Sequence, residues 1–453
     1  MSTNQSTNRL RIALVATLTV ALSGLGFAAP VSAAPVSIAP TALVMPAGTV
    51  SSNARAVSGG VIVGGYQLAD QVERAFVYDT RVTPAVFTDI SPAGAIESDA
   101  YAVDGTIVVG YSMQTGAGRR AFAYNLTTSS YTDLGLLAGV TDVYANSIAT
   151  AVSGNVVVGW TADNNYNMRP FYYDLSATTP TMVDPGGDNV MGGTNNVLIN
   201  GNLMAWTGST GYTTNVFDLS HPELGVQNMG DWFWPTVLGS NFVAGYRAMS
   251  FHDNAIAYPS TSTPATVLGN LGGGSWTQTF SAVGSVLFGY GDVTGGDVHA
   301  YKYDLAAASP VLVDLGYIGF VPGGSNDLNM YGNKSDQVVV GNVNGFGYVY
   351  NFSDAVPYSA SLAELATDTG SVVNEVDGYL AVGYSSGASG ARAVLWQIPQ
   401  PQTISFGTTI PVAAHVGDEY LPTATATSGL PVTLSVDSAS TGCTISGGSI
   451  VTF

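Results

Sequence analysis

The chain has 453 residues, of which only 9% are charged, and a formal net charge of −19. With 12 Lys and Arg against 31 Asp and Glu, no basic stripe exists to displace phosphate counterions, which excludes nucleic acid as a partner. The single cysteine, Cys443, excludes a disulfide scaffold for everything before it.

Residues 1–33 read as a secretory signal peptide. Arg9 and Arg11 form the basic start, residues 12–27 the apolar run, and Val31-Ser32-Ala33 the small-residue cleavage site. Ser23, Gly24 and Gly26 interrupt the run before it reaches the roughly 20 residues that a membrane span needs. No later segment approaches that length, so the mature chain is expected to be secreted, extracellular or on a cell surface, with no membrane span. Removing 1–33 takes away two Arg and no acid, leaving 10 basic and 31 acidic groups and a net charge of −21. Solubility must then rest on Ser, Thr, Asn and Gly, a pattern that suits extracellular β proteins rich in turns.

From residue 41 to 398 one phrase returns eight times: an apolar run, a Gly, an aromatic or its stand-in, then a polar loop and an aromatic-rich strand. It reads VIVGGY (61–66), TIVVGY (106–111), NVVVGW (155–160), NLMAW (202–206), NFVAGY (241–246), SVLFGY (285–290), QVVVGN (337–342) and YLAVGY (379–384). The last Gly of each run falls at 65, 110, 159, 245, 289, 341 and 383, with Ala205 in the fourth unit. That is a period of about 45 residues, which signals stacked β units rather than one irregular core. Each unit carries four strand signals, as in NSIATAV, NVVVGW, RPFYYDL and TMVDPG of the third. Only SLAELA (361–366) carries a helix signal, and its place in the repeat makes it a fourth strand or a short turn. Three apolar residues in a row, such as Val156-Val157-Val158, suit strands buried on both faces. Tyr66, Tyr111, Trp160, Trp206, Tyr246, Tyr290 and Tyr384 are expected to pack between neighbouring units.

Four-stranded units of this length build β-propellers. The ends support a ring. The eighth unit passes into Pro399-Gln400-Pro401 without a fourth strand, while PTALVMPAG (40–48) reads as a fourth strand lacking the other three. Residues 41–45 are therefore expected to pair with 392–398. The fold class read here is all-β, an eight-bladed propeller of four-stranded antiparallel blades, with seven blades or a lost fourth unit as the alternative.

The units resemble the bacterial extracellular HAF repeats. GYSMQTGAGRRAFAYNLTTSSYTDLGLLAG (110–139), HAYKYD (299–304) and VDLG (313–316) carry the likeness, with Arg74, Arg120, Arg169 and Arg392 at the family's His position. The resemblance implies secretion and a propeller-like array, and no established chemistry. A linker, 399–402, follows. Residues 403–453 then resemble the front half of a bacterial immunoglobulin-like module, with its SGLPVT phrase and the alternation of Val432-Thr433-Leu434-Ser435-Val436. About 50 residues are too few for a whole sandwich of near 100. The reading is a truncated module of a longer surface protein, whose resemblance implies a partner for Cys443 beyond Phe453.

No catalytic, cofactor-binding or metal site is assigned from the sequence, and no cofactor is expected. Gly383-Tyr384-Ser385-Ser386-Gly387 fits a nucleophile-elbow pattern but sits in a repeated hairpin with no helix after it. Asp327–Gly332 starts like a calcium loop but has Tyr331 and Val338 where oxygen ligands belong. Asp292 and Asp297 share a Gly-rich turn and read as solvated. His221, His252, His299 and His415 are too scattered for metal-ligand spacing. Asp89, Asp133, Asp184 and Asp314 recur with the period and read as turn anchors. Inner-strand candidates for a ligand site are Asn53, Asp99, Asn195, Asp327 and Glu375. The functional expectation is a secreted, non-catalytic binding or adhesion module for an extracellular ligand such as a polysaccharide or cell-wall glycan. The alternative is a glycan-acting hydrolase or lyase, which requires two carboxylates facing one funnel beside exposed aromatics.

Overall fold

Two-residue turns set the pattern of the fold. In six units the inner hairpin turns at a glycine with φ between 53° and 58° (Gly59, Gly105, Gly154, Gly201, Gly284 and Gly378), a left-handed conformation that costs glycine little. The apolar run then leaves each turn as a strand paired on both sides. In the first unit the order is Thr49–Ser58, Val61–Leu68, Glu73–Asp79 and Val86–Asp89, each hydrogen-bonded antiparallel to the one before.

The structure, a computed structural model, describes residues 36–399 except 192–196, 211, 231, 250–251, 260–265, 318–328, 332–337, 344 and 352–357; beyond them it describes 404–407, 415–421, 423–426, 444–446 and 450–452. Residues 34–398 form one compact unit. It holds eight sheets in chain order, which we call blades one to eight: 49–89, 95–135, 147–183, 197–228, 233–267, 277–317, 329–362 and 370–397. The chain is an eight-bladed β-propeller of four-stranded antiparallel blades. Blade three departs slightly, because its outer edge is reduced to a single bridge between Tyr172 and Val183.

The core is a succession of shared seams. Val61, Val63 and Ala75 of blade one pack with Val103, Val108 and Phe122 of blade two. Ile62 and Phe76 of blade one pack with Val382 and Ala393 of blade eight, so the first and last blades share a core as well. Backbone hydrogen bonds close the ring as well. Pro40–Ala42 completes blade eight antiparallel to Gly390–Gln397, with Thr41 opposite Leu395 and Leu43 N–H bonded to Ala393 O at 3.0 Å. The pairing segment is thus 40–43 rather than all of 41–45. One element escapes the sequence reading: Val36–Ile38 adds a parallel fifth strand to blade seven, against Tyr358–Leu362. Three residues ahead of a proline carry too short a pattern to register as a strand. The segment SLAELA supplies the end of that outer strand, Tyr358–Leu362, and then a turn.

The C-terminal segment forms two small antiparallel sheets, one pairing Ile404–Phe406 with Ala424–Ala426, the other pairing Ile450–Thr452 with both Glu419–Tyr420 and Thr444–Ser446. Residues 1–35 and Cys443 lie outside the described residues.

Candidate functional site

The pairing register explains the repeated glycine. In blades one, two, three, five, six and eight the inner strand carries a β-bulge, whose extra residue is Arg55, Tyr101, Thr150, Thr236, Phe280 or Asn374. A bulge bends the strand and throws a backbone carbonyl toward its partner. On Gly110 a β-carbon would stand 2.0 Å from Asp99 O, and the corresponding glycines 64, 159, 245, 289 and 383 meet the same obstacle at 1.9–2.0 Å. Only glycine fits there. Several bulged side chains then reach the adjacent blade: Thr150 Oγ1 donates to Val197 O at 2.9 Å, and Asn374 Nδ2 to Asn53 Oδ1 and Ala54 O at 2.7 Å.

The same register corrects the alignment of the first unit. Gly64 pairs with Ala54 as Gly110 pairs with Ala100, and Gly65 faces Ala75 as Tyr111 faces Ala121. Gly65, not Tyr66, therefore occupies the position held by Tyr111, Trp160, Tyr246, Tyr290 and Tyr384. Blade one lacks an aromatic there. Tyr66 packs edge-on against Phe76 and Phe87 of its own blade, belongs to the core shared with Val382 and Ala393 of blade eight, and donates to Asp89 at 2.9 Å.

Carboxylates fill the vacancy. Glu73 Oε1 and Asp99 Oδ1 both lie within 2.7 Å of where a β-carbon on Gly65 would stand. Asp99 is 1% exposed; its Oδ2 takes Arg55 Nε at 2.7 Å and Nη2 at 2.5 Å, while its Oδ1 has no hydrogen-bond partner. Arg55 also lies over the Tyr101 ring, 4.9 Å from its centroid. Next to them Glu97 Oε1 accepts from Tyr111 at 2.7 Å and from Arg119 at 2.6 Å, with Arg119 stacked over Tyr111. Burial, with the Asp99 charge second, pushes the Glu73 carboxyl up to about 7. Burial also raises Asp99, against the pull of Arg55. The seam between blades one and two thus gathers three carboxylates and two guanidinium groups.

Blade four breaks the repeat in the opposite way. It keeps the aromatic, Trp206, but has Ala205 in place of the glycine, and Val197–Asn200 pairs with Leu203–Thr207 without a bulge. A cleft of about 610 Å³ opens beside it, lined by Asp188, Thr210, Thr213, Asn215 and Asn228 among others. Trp206 is fully buried and donates from its indole to Asp188 O at 2.9 Å, which fixes the cleft wall. Around the point where a β-carbon on Gly208 would stand, Asp188 Oδ2 and Thr213 Oγ1 lie at 2.5 Å and Asn215 Nδ2 at 2.8 Å. Asn215 is 3% exposed, yet its amide has only two long contacts of 3.4 Å, both to Thr213. Next to Thr213, Tyr212 contacts both Trp232 and Trp234, with ring centroids 4.9 and 5.4 Å away. Tyr212 and Trp232 hold φ of 53° and 58°, a left-handed conformation costly for bulky residues, and Trp232 is 52% exposed. This aromatic platform left no signal in the repeat pattern, because Tyr212 and Trp232 stand on connecting segments and only Trp234 belongs to a strand, Phe233–Leu238 of blade five.

Of the inner-strand candidates among the described residues, Asp99 alone stands in a cluster of this kind. Asn53 accepts from Asn374, and Glu375 Oε2 accepts from Val57 N–H at 2.7 Å, so both serve contacts between blades eight and one. Asn195 and Asp327 lie outside the described residues, with the rest of the calcium-like loop up to Leu328. Gly383–Gly387 is interior strand, and buried Ser385 donates to Asp368 at 2.6 Å, with no strand-to-helix turn. The Asp292 carboxylate is occupied by Ser275 N–H, Ser275 Oγ and Trp276 N–H at 2.6–2.7 Å. His221, His299 and His415 each pair with one nearby acid, Glu223, Asp314 and Asp418. Asp89, Asp133, Asp184 and Asp314 each accept a backbone N–H two residues on, at 2.7–2.8 Å, which is turn anchoring. Among the described residues no group of three metal-ligating side chains converges, and no helix is long and apolar enough to cross a membrane.

No family model and no curated protein matches the chain. The chain is similar to the propeller domain of the Trilobed protease from Pyrococcus furiosus, at 10% identity over 76% of this chain and 95% of that one, with a TM-score of 0.39. It is likewise similar to Sqt1 from Saccharomyces cerevisiae, at 9% identity over 80% and 99% of the two chains, TM-score 0.42. TolB from Acinetobacter baumannii matches at 13% identity over 64% and 80%, TM-score 0.31. Likeness at this level carries no argument about what this chain does.

Proposed function

We propose that this chain is an exported, non-catalytic propeller that binds a glycan of an extracellular surface, with the sugar lying in the blade-four cleft. The carrying observation is the platform of Tyr212, Trp232 and Trp234, whose Tyr212 directly precedes Thr213 of the cleft lining. A sugar ring presents an apolar C–H face to aromatic rings and its hydroxyls to amide, carboxylate and hydroxyl groups. The cleft offers that pairing: a few convergent polar groups beside an amphipathic aromatic surface. Export through residues 1–33, the HAF-type identity of the repeats, the immunoglobulin-like tail and adhesion on a bacterial surface belong to the same proposal.

Calorimetry of the full chain with soluble cell-wall and polysaccharide fragments tests it. Trp232→Ala and Tyr212→Ala are expected to weaken binding by about tenfold or more, as loss of an aromatic anchor does. Binding indifferent to both substitutions would remove the cleft as the site.

The second reading, a glycan hydrolase or lyase, draws on the Glu73–Asp99 pair, since glycosidases work with two carboxylates. Asp99 is buried and held by Arg55, so it has no open face toward a sugar. Release of new reducing ends by the pure protein, abolished by Glu73→Gln, would establish that reading and overturn the non-catalytic one.

A further inference from the structure

We propose that the seam between blades one and two is a one-proton site, in which Glu73 carries the proton at mildly acidic pH, donates it to the unpartnered Oδ1 of Asp99, and releases it toward neutral pH.

Three independent observations converge on it. The register shows a missing aromatic at Gly65, and Glu73 Oε1 and Asp99 Oδ1 both come to that vacancy. Asp99 Oδ1 is a buried acceptor left without a donor, a condition that folding disfavours. Charge balance adds the third. Glu73, Glu97 and Asp99 face Arg55 and Arg119, so the cluster is neutral only when one carboxylate is protonated. Glu97 is engaged by both Tyr111 and Arg119, and Asp99 by Arg55. Glu73 is the acid with no cation of its own; its hydrogen-bond partner is the uncharged Gln67. Tyr101 completes the wall and stays neutral, burial pushing its hydroxyl up. The step is a simple acid–base exchange: solvent supplies the proton, the Glu73 carboxyl holds it, and water takes it back.

The sign follows from the raised Glu73 carboxyl. Unfolded, it titrates near 4.5; folded, near 7. The stability it confers is complete below about 4.5 and is lost as pH rises through about 7. Because the site is partly exposed, the folding constant is expected to fall by about tenfold across that window, less than the full shift implies. Glu73→Gln carries a permanent N–H donor to Asp99 and should abolish that component of the pH profile.

Difference infrared spectroscopy of the full chain between about pH 5 and pH 8 reads the proton directly. The expected result is one protonated-carboxyl C=O band that disappears with a midpoint near 7 and is absent from Glu73→Gln. Asp99→Asn, which removes the neighbouring charge, should return the midpoint toward the ordinary carboxyl range. If Glu73→Gln fails to fold, the wild-type and Asp99→Asn titrations still decide. No band at pH 5, a midpoint in the ordinary carboxyl range, or a band untouched by either substitution overturns the proposal.

Discussion

Blade one and blade four depart from the repeat in complementary ways. Blade one keeps the bulge and its glycine, Gly64, but has Gly65 where blades two, three, five, six and eight carry an aromatic. Blade four keeps the aromatic, Trp206, and loses both glycine and bulge. Each departure is where polar chemistry collects: the carboxylate seam in one, the cleft and platform in the other. A repeat consistent at every level spends its side chains on packing, so a local break is where groups become available for something else.

Substitution at the paired positions sharpens this contrast most. Gly64→Ala would bring a β-carbon to 1.9 Å from Asn53 O, a backbone atom that cannot swing aside. A loss of about 3 kcal/mol or more, or failure to fold, is expected, as for other overpacked core sites. Ala205→Gly in blade four removes one buried methyl and stiffens nothing; about 1 kcal/mol is expected. Similar urea midpoints for the two variants would break the link between glycine and bulge.

Trp206→Phe comes next. It removes the indole donor from Asp188 O and leaves a small void, with an expected cost of about 2 kcal/mol. It should also weaken glycan binding, because Asp188 loses its support. Unfolding curves that shift while affinity holds would show that the cleft is positioned without Trp206.

Two serines give the smaller contrasts. Ser371 Oγ accepts from Gly347 N–H at 3.0 Å and donates to Leu362 O at 2.6 Å in a fully buried seam. Ser371→Ala strands both groups and should cost about 2 kcal/mol. Ser98 accepts from Ala75 N–H at 3.0 Å, but Ser91 Oγ also reaches that N–H at 3.1 Å. Ser98→Ala should cost about 0.5–1 kcal/mol, since a second acceptor remains. Equal thermal shifts for the two would contradict this division of the interblade latches.

Much of the ring was legible in the chain. The eightfold phrase set the number of blades, and the orphan strand before residue 46 announced the closure on blade eight. The recurring Asp residues, read as anchors, make turn hydrogen bonds. The sites were less legible. Asp99 was singled out as an inner-strand acid, but its neighbour Glu73 was not, because it sits on a third strand and meets Asp99 only across the seam. The repeated Gly-Tyr dipeptide aligns Tyr66 with Tyr111, although Tyr66 is one residue out of register with it. The partner strand alone reveals that one glycine of Gly64-Gly65 sits opposite the bulge and the other stands in for a ring.

What the amino-acid sequence determined by itself is periodic: turn glycines, apolar triplets and the strand count, each a local preference repeated until burial between neighbours holds it. What the tertiary structure decided is register and company. A one-residue difference in pairing turns every side chain to the other face, and residues far apart in the chain share a dielectric only once two blades meet. That is why a glycine could be read from the chain as a repeat mark, while the meeting of Glu73 with Asp99 beside it could not.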